Sequence, residues 1–348
     1  MTSASPPPVR VLVTAACGDL GQAVMKSLRL AHGAYVIHAA DMKDGVAVLF
    51  ADHVHLLPPA APPDAFVHAL DALCRQHCMD VVIPCNEAEI RSLGGLASHP
   101  LLPCGTRIVS QTPFFTARHG DKLECCRFLQ GKVPLADFCD AEDHSQVADF
   151  LARHGFPMVL KERSSYGQRG VAVIRDAAEF AMRRSHFHNP LLQTFLEGDD
   201  QEYTVGVFCH GSDIRMICFR RRLDNMGCSW FATLDQPPLV LDYCHQIARA
   251  VNTQGSFNIQ LRLTAAGPRL LEINTRFSSL AAARAACGFN DVEWSVLQTL
   301  GRNVPERLPP PPRFEYQRYI AEVIRTEGEF HVPSEWLPRQ NISRACLE

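Results

Sequence analysis

The first third of the chain alternates nearly continuous apolar runs with amphipathic segments. Residues 9–15 (VRVLVTA) and 34–41 (AYVIHAAD) are apolar runs typical of buried parallel strands, and residues 17–33 between them have helical spacing. Residues 79–90 and 104–110 each contain a further strand-like run. Because strands that alternate with helices form parallel sheets with right-handed crossovers, this pattern predicts a parallel α/β unit.

The rest of the chain is dominated by strand pairs with short connections. Residues 154–176 are typical of a strand, a glycine-containing loop and a second strand, and residues 189–208 of two strands joined by an acidic turn. Residues 217–227 continue with a strand that ends in arginines. Residues 255–279 contain two strands joined by the five-residue connection TAAGP, which suits a hairpin. These segments predict antiparallel α+β structure.

The hairpin carries polar side chains at strand positions. Simple alternation puts Leu270, Glu272 and Asn274 on one face of the second strand and Leu271 on the other. Gln260 occupies the polar face of the first strand. An ionised Glu in an apolar strand is costly unless a positive charge compensates it, and carboxylate and amide oxygens suit Mg²⁺. The hairpin therefore predicts either a metal site or a half-exposed face that contacts water.

Composition excludes few classes of protein. A chain of 348 residues has room for two or three domains. The net charge of −3, with 20% charged residues, gives no reason to expect a nucleic acid or a membrane surface as partner. No apolar run approaches the roughly 18 residues of a membrane span, and residues 1–10 lack a signal-peptide core. We therefore expect a cytoplasmic protein.

Cysteine is abundant but irregularly spaced. The chain has 14 cysteines, which favours reduced thiols in a cytosolic protein over a disulfide framework. Cys74, His77 and Cys78 lie close together in the sequence, but no second pair of ligands follows nearby. We therefore expect no zinc site at this segment.

Glycines in the first turn raise the question of a dinucleotide site. Gly18 and Gly21 follow the first strand as G-x-x-G, whereas the dinucleotide fingerprint is G-x-G-x-x-G. A structural glycine turn is therefore the favoured interpretation, and a nicotinamide-dependent reductase is the weaker alternative.

Two carboxylates follow a buried strand of the α/β unit. Glu87 and Glu89 come directly after the strand near residue 83, and ligands of open α/β sheets gather at the carboxyl ends of strands. The pair could bind a substrate ammonium group. Alternatively, both could simply begin a helix, where carboxylates favour the positive end of the helix dipole.

Lysines in the middle of the chain suggest phosphate chemistry. Lys122 lies in the first turn of a helix entered through Asp121, where it opposes the helix dipole, so we expect an anionic partner outside the helix. Lys161 ends a strand before a loop containing Gly167 and Gly170. Backbone N–H groups of such a loop can hold phosphate oxygens, with the lysine as a point charge. A plain hairpin with a solvated lysine is the alternative.

Arginines at residues 220–222 form a further basic run. Such a run usually lies on a solvated face, but Arg222 could also attract a phosphate or a substrate carboxylate. No Ser–His–Asp or Cys–His pattern is evident, so no side-chain nucleophile is expected.

Taken in order, these segments resemble the ATP-grasp family, specifically its carbamoyl-phosphate-synthase-like branch of carboxylate–amine ligases. The resemblance extends from about residue 9 to residue 291. Five elements carry it, namely the α/β unit, the pair Asp121-Lys122, the strand GFPMVLK with the loop SSYGQRG, the hinge QTFLEGDDQEYTV, and Gln260 followed by EINTR.

The resemblance implies an ATP-grasp fold, with an N-terminal parallel α/β domain, a small antiparallel α+β lid domain and a larger C-terminal α+β domain. The expected boundaries are 1–112 for the first domain, 113–195 for the lid and 196–305 for the C-terminal domain. Residues 306–348 would form a Pro-rich linker and tail, which could shape the substrate pocket or a homodimer contact.

The resemblance also implies a nucleotide site for ATP. Residues that the family's motifs assign to the phosphates are Lys122, Lys161 and the loop residues Ser165, Gly167 and Gly170. Residues assigned to adenine and ribose are Gln193, Phe195, Leu196 and Glu202.

Metal, catalytic and substrate residues follow in the same way. The Mg²⁺ ligands, which could equally hold Mn²⁺, would be Glu272, Asn274 and Gln260. Catalytic roles at the transferred phosphate are implied for Arg276, Lys161 and Arg222, and substrate contacts for Glu87, Glu89, Arg276 and Ser278.

The implied reaction joins a small-molecule carboxylate to an amine. The carboxylate would attack the γ-phosphate of ATP, giving an acyl phosphate and ADP, and an amine would then displace phosphate. The sequence departs from the family pattern at Glu162, Gln193 and Thr275, and its loop has few glycines. A non-catalytic protein that only binds nucleotide therefore remains an alternative.

Overall fold

Three multistranded β-sheets, a two-stranded hairpin and the covering helices make up the described part of the computed structural model of the chain. The described residues are 7–94, 101–164, 170–198, 201–224, 227–319, 322–327 and 329–332. Ser165 and Gly167 lie outside them. Among the described residues, no helix combines the length and apolarity needed to cross a membrane.

The first sheet is parallel and has five strands in the order β3-β2-β1-β4-β5. Helices on its two faces cover separate apolar clusters. The predicted parallel α/β unit is thus confirmed, and it includes the four-residue strand β3, which the sequence analysis did not identify. The elements are β1 (Val9–Thr14), α1 (Asp19–Arg29), β2 (Tyr35–Asp41), β3 (His53–Leu56), α2 (Pro63–Gln76), β4 (Val81–Ile83), α3 (Glu87–Leu93) and β5 (Arg107–Ile108).

Close packing explains the first glycine turn. A Cβ atom at Gly21 would lie 2.6 Å from the carbonyl oxygen of Ala15, so α1 can approach the turn after β1 only with glycine there. Strand β1 lies between β2 and β4. The chain adds β2 and β3 on one side of β1 and then crosses to the other side to add β4 and β5. Such a switch point leaves a crevice at the carboxyl ends of the strands.

The second sheet is antiparallel and has four strands in the order β6-β9-β7-β8. One of its faces packs on α6 around Phe150, Leu160 and Leu192. Lys161 and Val159 lie on the opposite face, because neighbouring strand residues alternate. The elements are α4 (Pro113–Gly120), α5 (Lys122–Leu129), β6 (Phe138–Asp140), α6 (His144–His154), β7 (Met158–Glu162), β8 (Val171–Ile174), α7 (Ala177–Arg184) and β9 (Pro190–Thr194).

The third sheet has six strands in the order β14-β13-β10-β11-β12-β15 and is antiparallel. Helix α8 packs on one of its faces. The elements are β10 (Glu202–His210), β11 (Asp213–Leu223), β12 (Ser229–Leu234), α8 (Pro238–Val251), β13 (Gly255–Thr264), β14 (Gly267–Asn274), α9 (Ala281–Ala286), α10 (Asp291–Thr299) and β15 (Glu315–Gln317), and the short hairpin β16 (Ile324–Thr326) and β17 (Glu329–His331) follows.

The segment after the proline-rich linker returns to the body of the protein. Strand β15 pairs with β12, with Phe231 opposite Gln317. The three sheets occupy residues 9–108, 138–194 and 202–317. The exact domain boundaries stay a prediction.

A β-bulge in the hairpin changes the predicted faces of β14. Gln260 lies opposite Glu272, whereas the next residue, Leu261, lies opposite Leu270, so Leu271 is an extra residue without a partner. Leu270 therefore packs in the core with Ile273, and Leu271 faces the same cleft as Glu272. The prediction from alternation, with Leu270 on the face of Glu272, was wrong because alternation breaks at a bulge.

Candidate active site

A cleft of about 710 Å³ lies between the four-stranded and six-stranded sheets. The loops after β1 and β4 close one of its ends, at the switch point of the parallel sheet. Val159 and Val173 from the four-stranded sheet face Leu223 and Leu271 from the six-stranded sheet, and charged residues line the remainder. The cleft therefore has an apolar part suited to a flat ring and a polar part suited to charged groups.

Lys161 brings a positive charge into the cleft from β7. Its side chain is buried, and its Nζ donates a hydrogen bond of 2.8 Å to Oε1 of Gln193 on the neighbouring strand β9. Burial, which disfavours the charged form, lowers the pKa of Lys161 to about 8, although the nearby Glu272 carboxylate opposes the effect. Lys161 is thus mostly charged at neutral pH and easily neutralised above it.

Lys122 begins helix α5 and reaches the hairpin. Asp121 caps the helix by accepting hydrogen bonds from the backbone N–H groups of Leu123 and Glu124. The Nζ of Lys122 lies 3.5 Å from Oε2 of Glu272, so the expectation of an anionic partner outside the helix is confirmed. This ion pair links the segment before the four-stranded sheet to β14.

Glu272 stays ionised although it lies in the protein interior. Burial alone would raise the pKa of its carboxyl group, but the charges of Lys122, Arg276 and Arg221 and a hydrogen bond from Asn274 outweigh that effect and lower the pKa. Asn274 Nδ2 donates to Oε1 of Glu272 at 3.2 Å, which places a carboxylate and an amide side by side. This pair of oxygen donors fits a divalent metal such as Mg²⁺.

Gln260 lies opposite Glu272 on β13, but its amide oxygen already has a partner. Arg221 donates from Nη2 to Oε1 of Gln260 at 2.6 Å and to Oε1 of Glu202 at 2.7 Å. Arg262 adds a second contact to Glu202 at 3.3 Å. Glu202 is therefore held between two guanidinium groups at the wall of the cleft.

The segment after β9 completes the apolar end of the cleft. Gln193, Phe195 and Leu196 all line it, and the backbone oxygen of Leu196 accepts a hydrogen bond of 2.8 Å from Nη1 of Arg262. This bond anchors the segment between the two sheets to β13.

Comparison with known proteins agrees with this geometry. Residues 186–322 match the model of a family described as ATP-grasp in the biosynthetic pathway with Ter operon. This part of the chain is therefore similar to an ATP-grasp family, in agreement with the resemblance found in the sequence. Among curated relatives, the C-terminal section of the carbamoyl phosphate synthase large chain of Methanocaldococcus jannaschii is 25% identical over 191 residues, which is 50% of this chain and 31% of that protein.

A second curated relative matches a longer part of the chain. The carbamoyl phosphate synthase large chain of Thermus thermophilus is 22% identical over 268 residues, 69% of this chain and 26% of that protein. The chain thus spans less than a third of the length of these relatives.

The solved structures share the fold. The Staphylococcus aureus N5-carboxyaminoimidazole synthetase, complexed with ADP, has a TM-score of 0.68 at 14% identity, covering 86% of this chain and 80% of that one. The biotin carboxylase domain of Hydrogenobacter thermophilus 2-oxoglutarate carboxylase, in complex with MgADP and bicarbonate, has a TM-score of 0.67 at 15% identity, covering 86% and 70%. The predicted ATP-grasp fold is therefore confirmed.

Arg221, which the sequence analysis did not select, occupies the cleft in place of Arg222. Arg221 is buried on the cleft side of β11, whereas Arg222 is exposed and its guanidinium lies 5.2 Å from the centre of the Phe231 ring. The structure does not bring Arg222 together with the other predicted site residues. Alternation along β11 was the available signal, because it separates Arg221 from both of its neighbours.

The predicted substrate residues occupy different environments. Nε of Arg276 lies 2.6 Å from Oε1 of Glu87, so these two side chains pair at the cleft. Ser278 lines the cleft, but its hydroxyl oxygen accepts a hydrogen bond of 2.6 Å from Nη1 of Arg284. Among the predicted substrate residues, Arg276 and Glu87 are thus the pair that meet directly.

Glu89 is separated from the other predicted substrate residues. It is buried beneath the first turn, and the Thr14 hydroxyl donates to its Oε2 at 2.6 Å. Burial raises the pKa of Glu89 to about 7, so the group is partly protonated at neutral pH. Glu89 lies apart from the residues that line the cleft because α3 turns it toward the sheet rather than toward the opening.

Gly170 marks the base of the predicted glycine loop. It has a φ of +66°, and a Cβ atom there would lie 2.6 Å from Oε2 of Glu162. The backbone oxygen of Gly170 accepts a hydrogen bond of 2.7 Å from the amide of Glu162. The positive φ favours glycine here, whereas the flexible side chain of Glu162 could move away from a Cβ atom.

A second cavity of about 540 Å³ opens beside the cleft. Its walls come mainly from α3, α4 and the end of β14, and it is largely apolar away from the cleft. His119 on this wall is buried between aromatic rings, and burial lowers its pKa to about 4, so it is neutral. The residues shared by the two cavities are Glu87, Lys122, Glu272, Asn274 and Arg276.

Proposed function

We propose that the chain is an ATP- and Mg²⁺-dependent ligase that activates a small-molecule carboxylate as an acyl phosphate and joins it to an amine. The observation that carries the proposal is the junction of the two cavities. There Glu272 and Asn274 offer oxygen donors beside the ammonium group of Lys122. A site for triphosphate needs this combination of metal ligands and cations.

The larger cleft would hold the nucleotide. Val159, Val173 and Leu271 would contact the adenine ring, and the backbone of Phe195 and Leu196 would meet its edge. Solved structures with this fold contain ADP or MgADP, which supports the same assignment here. Glu202 would accept hydrogen bonds from the ribose, with Arg221 and Arg262 holding its carboxylate in place.

The two lysines and the bound metal ion would neutralise the negative charge of the phosphates. Lys122 and Lys161 would bind phosphate oxygens, and Lys161 would exchange its bond to Gln193 for one to phosphate. The loop that contains Ser165, Gly167 and Gly170 would cover the phosphates and exclude water. Mg²⁺ held by Glu272 and Asn274, with Gln260 assisting, would supply further positive charge at the phosphates, and Mn²⁺ accepts the same donors.

The second cavity would hold the carboxylate substrate. Arg276 would bind the reacting carboxylate or the transferred phosphoryl group, exchanging its partner Glu87 for the substrate. Glu87, released from Arg276, would then be available to an incoming ammonium group. The largely apolar walls beyond this junction favour a substrate with an apolar side chain.

Atoms balance over two steps in this scheme. A carboxylate oxygen bonds to the γ-phosphorus while the bond from that phosphorus to ADP breaks. The amine nitrogen then bonds to the acyl carbon, phosphate leaves, and the nitrogen loses a proton. Names of the related proteins include synthases and a carboxylase, which supports ATP-dependent carboxylate chemistry of this class.

Phosphate release tests the proposal. Pairs of amino acids and other small acids and amines are screened with Mg²⁺–ATP, and the wild type is compared with Glu272→Ala. Glu306→Ala, at an exposed residue away from both cavities, serves as the matched control. We expect acid- and amine-dependent release of ADP and phosphate, lost in Glu272→Ala and retained in the control, with a similar melting temperature for all three.

Other outcomes identify the alternatives. MgADP binding without turnover for any pair would support a protein that only binds nucleotide. Stabilisation by NADH but not by Mg²⁺–ATP would support a reductase. Turnover that persists in Glu272→Ala would refute the metal assignment while leaving the ligase open.

A further inference from the structure

Three histidines from separate segments meet at the edge of the parallel sheet, away from both cavities. His38 lies on β2 and His55 on β3, and His77 follows the last residue of α2. One possible ligand nitrogen from each of these residues lies within 4.8 Å of the other two. Since β2 and β3 are hydrogen-bonded neighbours, the sheet itself fixes the first pair.

The rings are in direct contact. Nδ1 of His38 and Nε2 of His55 are 2.8 Å apart, and the two rings stack with centroids separated by 5.1 Å. His77 lies against both, with centroids 4.5 Å from His55 and 5.5 Å from His38. His38 is buried, while His55 and His77 are half-buried, so the group is closed on one side and open to solvent on the other.

The surroundings of His38 and His55 disfavour the protonated form of their imidazole rings. Burial, together with the neighbouring histidines, lowers the pKa of His38 to about 4 and also lowers the pKa of His55. Arg10 contributes to the effect at His38, and it donates from Nη1 to the backbone oxygen of His77. Metal ligation requires deprotonated imidazole nitrogens, which is the form that the surroundings of His38 and His55 favour.

We propose that His38, His55 and His77 form a binding site for a divalent transition metal ion, with Zn²⁺ as the first candidate. Imidazole nitrogens suit zinc, copper and nickel, and three of them leave a fourth position open. Zn–N bonds of about 2.0–2.1 Å put tetrahedral ligands roughly 3.3 Å apart. The side chains of His55 and His77 are half-exposed. Rotations that move their ring nitrogens by about an ångström would bring the three ligand atoms to that spacing.

His53 is placed to contribute a fourth ligand. It lies on the same strand as His55, its ring centroid is 4.5 Å from that of His38, and it is exposed. A water molecule could occupy the same position.

The sequence analysis expected no zinc site from Cys74, His77 and Cys78, and the proposed site takes only His77 from that segment. Cys74 points into the apolar core beneath α2, so it cannot join His77 as a ligand. The partners of His77 come from strands some 20 to 40 residues earlier in the chain. Sequence spacing does not reveal them, because β2, β3 and the end of α2 become neighbours only when the sheet forms.

A bound ion would join three segments that the chain otherwise connects by loops. Strand β3 is a four-residue edge strand, and His55 anchors it to β2. Because the ion binds the folded arrangement and not the unfolded chain, it would raise the stability of the N-terminal unit in a concentration-dependent way.

Metal titration of the untagged, fully reduced chain tests the site. Zn²⁺ is added in calorimetry and metal content is measured after dialysis, and Co²⁺ serves as the spectroscopic probe. We expect about one ion per chain, a raised melting temperature and Co²⁺ spectra without thiolate charge-transfer bands. Mutation of a residue that only supports a metal ligand typically lowers metal affinity by about 10–100-fold. Loss of a ligand itself, in His77→Gln, should therefore lower the affinity for Zn²⁺ by more than about 100-fold.

Matched variants keep the test decisive. His77 is half-exposed, so His77→Gln should fold even if a change at the buried His38 does not. His68→Gln, at an exposed histidine of α2, should leave zinc affinity unchanged. The proposal is overturned by absence of stoichiometric binding, by equal affinity in His77→Gln and wild type, or by Co²⁺–thiolate bands that assign the metal to cysteines.

Discussion

A buried ammonium group defines the chemistry of the cleft at the scale of single residues. Lys161 is 8% exposed, its hydrogen-bond partner is the neutral amide of Gln193, and burial lowers its pKa to about 8. The protein therefore holds a lysine that is charged at neutral pH but loses its proton far more easily than lysine in water. Such a group binds phosphate only while it remains protonated.

Nucleotide affinity should consequently fall as the pH rises above about 8. Below that pH Lys161 is charged in the free protein, and above it binding requires the uptake of one proton. We expect the dissociation constant of MgADP to increase by up to about tenfold per pH unit between pH 8 and 9.5. Isothermal titration calorimetry of the wild type across this range measures the effect.

Lys161→Arg is the control, because arginine stays charged throughout this range. Its affinity for MgADP should show little dependence on pH, even if it is weaker at pH 7. If MgADP affinity depended equally on pH in the wild type and in Lys161→Arg, the proposed role of Lys161 in phosphate binding would be contradicted. The pH should affect stability in the opposite direction. Between about pH 8 and 10.5 Lys161 is protonated in the unfolded chain but largely deprotonated in the folded protein. Its contribution to the free energy of unfolding should therefore increase as the pH rises.

At the scale of secondary-structure elements, the bulge in β14 decides which side chains reach the larger cleft. Leu270 is 2% exposed and packs with Ile273, whereas Leu271 lines the cleft beside Glu272. Adjacent leucines thus have different roles, since the extra residue shifts the alternation by one position.

Substitution of the two leucines should separate stability from binding. Leu270→Ala leaves a cavity in the core and should lower the free energy of unfolding by about 2–5 kcal/mol. Leu271→Ala should lower it by less than about 1.5 kcal/mol and should weaken MgADP binding several-fold, because it removes an apolar wall of the cleft. Urea denaturation and calorimetry measure the two quantities, and equal losses of stability in both variants would argue against the bulge.

At the scale of the whole molecule, the parallel sheet shares a continuous core with helix α10 and with the segment that follows β14. Phe277, Val292 and Val296 pack in the same cluster as the residues of β1 and α1. Glu293 is buried at this contact and accepts hydrogen bonds from the backbone amides of His32 at 3.2 Å and Gly33 at 2.9 Å. Both sides of the candidate active site are therefore held together by buried apolar and polar contacts.

We expect these two parts of the chain to unfold together. Amide hydrogen exchange should give similar free energies of opening for β1 and β13, since separation would expose the shared core. Glu293→Ala leaves two backbone N–H groups without their acceptor and should lower both values by about 1–3 kcal/mol. Opening of β1 at a much lower free energy than β13 in the wild type would show that the two parts are independent.

Local patterns in the sequence were enough to predict most of the architecture. Apolar runs and helical spacing identified the parallel unit, and alternation identified the hairpin that carries Glu272 and Asn274. The types of the cleft residues were also evident, because Lys122 at a helix start and Lys161 at a strand end are locally unusual. Their roles at a nucleotide remain part of the proposed function.

The sequence by itself determined the principal strands of the sheets and the chemical character of the cleft, since both depend on residues close together in the chain. Only the tertiary structure decided that Arg221 rather than Arg222 faces Glu202, and that Arg276 pairs with Glu87. It also decided that His38 meets His77. The physical reason is that strand register, bulges and sheet order are set by burial between distant segments, which local periodicity does not encode.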